Sequence, residues 1–344
     1  MTEKVISREK IQDLLKKLGE SYNVFAPVQD EGKVLFMSLE NSSRDVVLEF
    51  KNALKPPKEV FFPQTDILFT FMKTTDGVRS EDAQRKKSKP NLIFAIRPCD
   101  VQALQLFDKV FSGDYQDSLY LERREDSIII SMVCSEPQET CFCTSVGGSP
   151  VTAEADIILT DLGDQIFASG LTESGEKILE DRNFKTATRE FMDKKKEAHS
   201  RAEGSMKEVF NMNKISEIIG KSFEKPFWND ISRRCINCYT CTFLCPTCHC
   251  FDITDVKRKG GGERIKTWDS CMSPLFTLHA SGHNPRGEEY SRWRQRLFHK
   301  FKYLPDNLGL LGCVGCGRCL DTCPTGMDIR EILNIVISED KTKE

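Results

Sequence analysis

Apolar positions in this chain fall into helical stripes, short solid runs and long polar gaps, and their order predicts its elements. Residues 7–19 place Ile11, Leu14, Leu15 and Leu18 on one stripe, with Ser7 positioned as a cap, so a helix is predicted there. A mixed stretch follows, broken at Pro56-Pro57, with a strand predicted over 65–72. Residues 76–91 are polar and read as an exposed loop. Asn91 then opens the solid apolar run LIFAI, the pattern of a buried strand. That run ends in Arg97-Pro98-Cys99-Asp100, and Asp100 is placed to cap a helix with apolar residues at 101, 104, 107, 110 and 111. SIIISMV follows as a second buried strand and ends at Cys134. Strand, helix and strand in this order predict a βαβ unit with parallel strands. Residues 156–169 read as a hairpin, and 175–228 as charged helix with a solvated face. Further on, KRKGGGERIK reads as an exposed turn and 287–303 as a helix.

Composition narrows the class without naming a chemistry. The 344 residues suffice for two or three domains, and 39% hydrophobic with 29% charged is ordinary for a globular chain. A net charge of −3 gives no reason to expect nucleic acid or an anionic membrane as partner. No apolar run approaches the roughly 18 residues of a membrane span, and the first twenty residues lack the apolar core of a signal peptide. The expected location is the cytoplasm, where thiols stay reduced. The 15 cysteines are therefore expected as metal ligands, reactive thiols or core residues rather than disulfides.

The cysteines carry the chemistry. Cys235-x2-Cys238-x2-Cys241-x3-Cys245-Pro246 is repeated as Cys313-x2-Cys316-x2-Cys319-x3-Cys323-Pro324. This spacing wraps a [4Fe–4S] cube: three thiolates on one tight loop reach three irons, and the fourth cysteine reaches the other cube. The crossed assignment is Cys235, Cys238, Cys241 and Cys323 for one cube, and Cys313, Cys316, Cys319 and Cys245 for the other. Structural zinc, which uses paired Cys-x2-Cys ligands, fits two complete runs less well. Arg233, Arg234 and Arg318 lie beside these cysteines in sequence and are expected to raise cluster potential.

Cys99 and Cys134 are predicted just past the ends of neighbouring parallel strands, on the edge where open α/β sheets place their ligands. Cys141 and Cys143 follow closely. The alternative readings of these four are buried thiols and a third cube; their convergence on one predicted edge favours the cube. Gly147-Gly148 would let the backbone pass close to such a group. Cys248, Cys250 and Cys271 form a further group, read as thiols packed beside a cluster, with an extra metal site completed by His279 or His283 as the alternative. His249 and His299 are read as core or surface residues. Arg292, Arg294, Arg296, Lys300 and Lys302 alternate with Trp293, Leu297 and Phe301; their charges are read as an exposed face, with docking of an acidic redox partner as the functional alternative.

The stretches RCINCYTCTFLCPTCHCFDITD, WDSC, ASGHNPRGEEYSRWRQRLFHKF and CVGCGRCLDTCP resemble one family. It comprises the A subunit of anaerobic sulfite reductase and the iron–sulfur beta subunit of sulfhydrogenases, which are NiFe hydrogenases. IRPCD and VCSEPQETCFCTSVGG extend the resemblance into the first half, and the proline in CSEPQETC leans toward the hydrogenase branch. The resemblance implies three [4Fe–4S] clusters. It also implies electron transfer between a flavin subunit that reacts with NAD(P)H and a catalytic subunit holding a nickel–iron centre or sirohaem, with ferredoxin as a further exchange partner. No catalytic residue is expected in the chain itself.

The expected architecture is an α/β (α+β) domain with a partly parallel sheet over residues 1–180, a helical linker over 181–228, and a ferredoxin-like dicluster domain with a long insertion over 229–344. The rival function is a self-contained iron–sulfur enzyme acting on a sulfur compound. Against it, Gly260-Gly261-Gly262 lies in a polar stretch without the strand, helix and acid of a nucleotide fingerprint.

Overall fold

A computed structural model describes residues 2–341 apart from 41–43, 83–88, 152–153, 207, 211 and 213. Its strands are β1 Thr2–Ser7, β2 Asn23–Asp30, β3 Lys33–Ser38, β4 Thr65–Thr74, β5 Gly77–Asp82, β6 Asn91–Ile96, β7 Ile128–Met132, β8 Ile157–Asp161, β9 Gln165–Gly170, β10 Lys185–Thr186, β11 Phe251–Arg258 and β12 Gly261–Trp268. In the first half the helices are α1 Ile11–Leu18, α2 Pro98–Phe111, α3 Ser118–Arg124, α4 Glu173–Ile178 and α5 Arg189–Gly204. After them come α6 Ile215–Lys221, α7 Phe227–Ser232, α8 Thr240–Phe243, α9 Glu289–Phe298, α10 Leu304–Leu308, α11 Arg318–Asp321 and α12 Ile329–Lys341.

The larger sheet runs β10-β1-β9-β8-β7-β6-β2-β3. Its centre is parallel: β2 pairs with β6, β6 with β7 and β7 with β8 in that sense. Strands buried on both faces need solid apolar runs, and β6 and β7 supply them. Leu92, Phe94, Ile128 and Ile130 pack toward Ile11, Leu14 and Leu15 on one side. Ile93, Ile96 and Ile129 pack toward Val101, Leu104 and Phe107 on the other. A bulge at Ala95 (φ 57°) lets Ile93 and Ile96, three residues apart, share that second face. Pro98 occupies the first turn of α2, where its missing N–H costs nothing, and the capping position falls on Arg97. Asp100 is therefore inside the first turn, not the cap. At the N-terminus Ser7 ends β1 and makes no side-chain cap. The first strand was hidden by the helical stripe that follows it. The predicted hairpin over 156–169 corresponds to β8 and β9, which pair antiparallel.

The smaller sheet runs β11-β12-β4-β5. It places strands where the polar pattern suggested a loop and a turn: β5 lies within 76–91, and KRKGGGERIK is the end of the β11–β12 hairpin. Every residue of β11 is exposed, so no buried face imprinted alternation on the sequence. Residues 83–88 of the expected loop lie outside the described residues. Because β4 pairs with β12, this sheet joins the first half of the chain to the insertion between the cysteine runs. Within the expected linker, β10 pairs with β1 at the edge of the larger sheet. The helices of the last third gather on a second core around Trp228, Trp293, Leu297, Phe301 and Leu333, which also takes in Phe142 and Val146. Among the described residues no helix is long and apolar enough to cross a membrane.

Candidate metal centres

The two cysteine runs fold into the same loop. Asn237 (φ 52°) and Tyr239 (φ 61°) take the left-handed region in the first, and Gly315 (φ 62°) and Gly317 (φ 74°) take it at the matching places in the second. Each loop closes in a single helical turn, α8 or α11. The second loop needs glycine for another reason. A Cβ on Gly315 would stand 2.5 Å from the Cys143 nitrogen, and one on Gly317 would stand 2.5 Å from Thr140 Oγ1. The Phe142 N–H donates to the Gly315 carbonyl at 2.8 Å. The second run is thus pressed against the N-terminal cysteine loop.

Cys235, Cys238, Cys241 and Cys323 line one cavity, together with Met272, Trp293, Met327 and Ile329. Cys238 is exposed, so this set lies nearest the surface. Two sulfurs accept backbone N–H bonds, Cys235 from Asn237 at 3.4 Å and Cys323 from Met327 at 3.2 Å. Cys319 of the other set lies on the wall of the same cavity.

Cys245 stands with Cys313, Cys316 and Cys319 in the interior, close enough that their charges interact. Burial pushes the Cys313 and Cys319 thiols up, and Cys316 to about 12. Cys245 goes the other way: contact with the Cys248 thiol, then Lys300 and Arg296, holds it well below the ordinary thiol range.

Cys99, Cys134, Cys141 and Cys143 also line one cavity, at the C-terminal ends of β6 and β7. Cys316 forms part of its wall, and the Cys141 sulfur lies 3.6 Å from the Cys316 carbonyl. Burial raises all four thiols, Cys141 to about 11 and Cys143 to about 12. Arg97 flanks the cavity, buried, donating to the Val133 and Phe50 carbonyls and stacked over the Phe50 ring at 4.0 Å. On its other side a cleft of about 830 Å³, lined by Arg8, Lys51, Asp161 and Arg201, opens at the same sheet edge.

The donor sets fit iron–sulfur cubes better than single ions. Among the described residues no group of three or more His, Cys, Asp or Glu side chains can hold one metal ion. A cube needs four sulfurs spread around four irons, and two of the expected foursomes each line a single cavity. Buried thiols raised in this way remain neutral until a metal deprotonates them.

Buried cations support the same fit. Lys58, Arg296 and Lys300 are only 3%, 2% and 4% exposed. Lys300 Nζ lies 3.2 Å from Cys245 Sγ and donates to Thr247 Oγ1 and the Gly312 carbonyl. Arg296 approaches Cys248 Sγ at 3.7 Å and donates to the Cys241 carbonyl, while its Nε has no partner. Lys58 reaches from the first half of the chain to donate to the Cys245 and Cys248 carbonyls at 2.8 Å. None of the three pairs with a carboxylate among the described residues. Burial opposes the charges of Arg296 and Lys300, and negative charge on the surrounding sulfurs, present once they are thiolates, more than offsets it. For Lys58 burial prevails over the Cys248 and Cys245 thiols and lowers it. Uncompensated buried charge is costly, so this arrangement calls for an anionic group at the thiols.

Several sequence expectations change here. Arg296 and Lys300 are interior and Arg292 is buried too, so of the five charges expected on an exposed face Arg294 and Lys302 alone lie toward the surface, bound to the Phe223 carbonyl and Asp306. Arg233 and Arg234 are surface residues paired with Asp230 and Glu331. Arg318 is buried, but both its terminal nitrogens bind the Asp100 carboxylate at 2.6 and 2.7 Å, which cancels its charge. Lys58 had no sequence signal at all. The Cys250 and Cys271 thiols contact each other, which lowers Cys250 and raises Cys271. His279 and His283 pair with each other on an exposed loop. His249 is packed against Phe107, Phe111 and His299, and burial lowers it to about 4.

Residues 234–327 match the family model described as a 4Fe-4S dicluster domain. Over 331 residues the chain is 29% identical to the sulfhydrogenase 2 subunit beta of Pyrococcus furiosus, a match covering 95% of this chain and 96% of that one. No solved structure matches.

Proposed function

We infer that this chain, a dicluster iron–sulfur protein similar over nearly its whole length to a sulfhydrogenase beta subunit, is an electron-relay subunit of an anaerobic cytoplasmic oxidoreductase. In this reading it passes electrons between a flavin subunit that uses NAD(P)H, or ferredoxin, and a catalytic subunit of the nickel–iron hydrogenase or sirohaem sulfite-reductase type.

The observation that carries the reading is the file of thiol sets. Cys319 lies on the wall of the Cys235, Cys238, Cys241 and Cys323 cavity, and Cys316 on the wall of the Cys99, Cys134, Cys141 and Cys143 cavity. The set of Cys245, Cys313, Cys316 and Cys319 is therefore the middle of three. Each cube, when bound, supplies one-electron redox chemistry over a wide potential range. The chain's own residues fix the spacing and supply the charges around the middle set. Exposed Cys238 gives one end a route to a partner, and the cleft beside Arg97 gives the other.

The rival, a self-contained enzyme, assigns catalysis to this chain alone. The chain purified anaerobically with its metal should accept electrons from reduced viologen yet turn over neither hydrogen nor sulfite. Partner subunits should restore turnover, and activity of the isolated chain would overturn the relay reading.

A further inference from the structure

We propose that Lys58, Arg296 and Lys300 form a charge cage that gives the middle centre, held by Cys245, Cys313, Cys316 and Cys319, the highest potential of the three. The proposal rests on the iron–sulfur reading of those thiols. Three elements bring the cations together: the short turn after Pro57, helix α9, and the wound segment His299–Tyr303 that continues it. All three are interior, and none meets a carboxylate among the described residues.

The outer sets have fewer such neighbours: Arg296 is shared, since it also lines the cavity of Cys235, Cys238, Cys241 and Cys323 and donates to the Cys241 carbonyl. Beside the first run, Arg233 and Arg234 are 78% and 59% exposed and already paired, so water and salt screen them. Near the N-terminal set, Arg318 is neutralised by Asp100; the cations left on that cavity's wall are buried Arg97 and exposed Lys51, which water screens. The middle set has Lys58 and Lys300 at Cys245 and shares Arg296 with the first set.

A cube ligated by four thiolates is a net anion, and reduction adds one more negative charge. Cations fixed nearby therefore favour the reduced form, and in a buried, poorly screened site they do so strongly. The Lys300 ammonium at 3.2 Å from Cys245 Sγ acts in the same direction by drawing charge from the sulfur. An electron arriving from either end rests in the middle. Without the anion, the cage is three buried like charges around the thiols, so loading the metal and consolidating this core are coupled.

The test uses the full chain, loaded anaerobically, as Lys58→Met, Lys300→Met and Lys300→Arg variants. Redox titration followed by electron paramagnetic resonance reads the midpoints, and a Cys313→Ser chain identifies the middle signal. Both Met variants should lower that midpoint, with the outer two moving less, and Lys300→Arg should restore most of the shift. In the metal-free chain the Met variants should melt above the parent. A middle midpoint that is unchanged or higher in both Met variants overturns the cage, as does a parent in which the middle centre is not the highest of the three. Iron too scarce for a middle cube in the parent overturns the iron–sulfur reading itself, and the cage with it.

Discussion

Arg318 and Lys300 show how differently two buried cations beside the same thiols can act. Arg318 belongs to a bidentate pair with Asp100 that ties α11 to α2, so its work is structural. Arg318→Gln leaves the Asp100 charge buried and should cost about 3–5 kcal/mol, read by denaturant unfolding. Adding Asp100→Asn should recover much of that loss, whereas purely additive costs would contradict the pairing. Lys300 has no such carboxylate among the described residues. From sequence, Arg296 and Lys300 looked like one side of an exposed basic helix, because periodicity gives a face but not which face is covered. Lys58 was unreadable, since nothing local distinguishes a lysine that reaches into a core from one in water. His249 gives a pH prediction. Its folded pKa of about 4 lies below the ordinary 6.5, so an unfolded chain takes up its proton first as pH falls. Stability should be intact above pH 6.5 and decline toward pH 4, by roughly 3 kcal/mol from this residue. His299, lowered to about 3, adds to the same slope. A His249→Phe chain should show a shallower decline over that window; an unchanged slope would contradict neutral burial.

Among the elements, the cysteine loops and the βαβ unit were legible, because each imposes a local pattern. A cube-binding loop fixes its spacing, and a parallel strand buried on both faces must be apolar throughout. The β11–β12 hairpin was not legible: its outer strand is exposed along its length, and pairing alone leaves no periodic signature. Gly315 tests how the loops are joined. An alanine there meets the Phe142–Cys143 backbone at 2.5 Å and a left-handed backbone besides, so neither neighbour can yield cheaply. Gly315→Ala should destabilise the chain by at least 1–3 kcal/mol and lower its iron content. Gly309→Ala, where φ is also positive but nothing lies within 4 Å, controls for backbone strain alone. Equal losses in the two chains would contradict close packing of the loops.

At the scale of the molecule, chain order conceals proximity. Cys99 and Cys316 are far apart in sequence, yet they meet at one cavity because the second cysteine loop lies against the C-terminal edge of the parallel strands. The smaller sheet and the reach of Lys58 tie the same halves together. The spacing suggested which thiols act in fours; the walls they share, and the approach of Lys58 and Lys300 to Cys245, depend on tertiary packing. If the chain holds three cubes in line, anaerobic purification of the full chain should give about twelve iron and about twelve acid-labile sulfide per polypeptide and no stoichiometric zinc; about eight, or zinc in place of iron, would contradict three cubes.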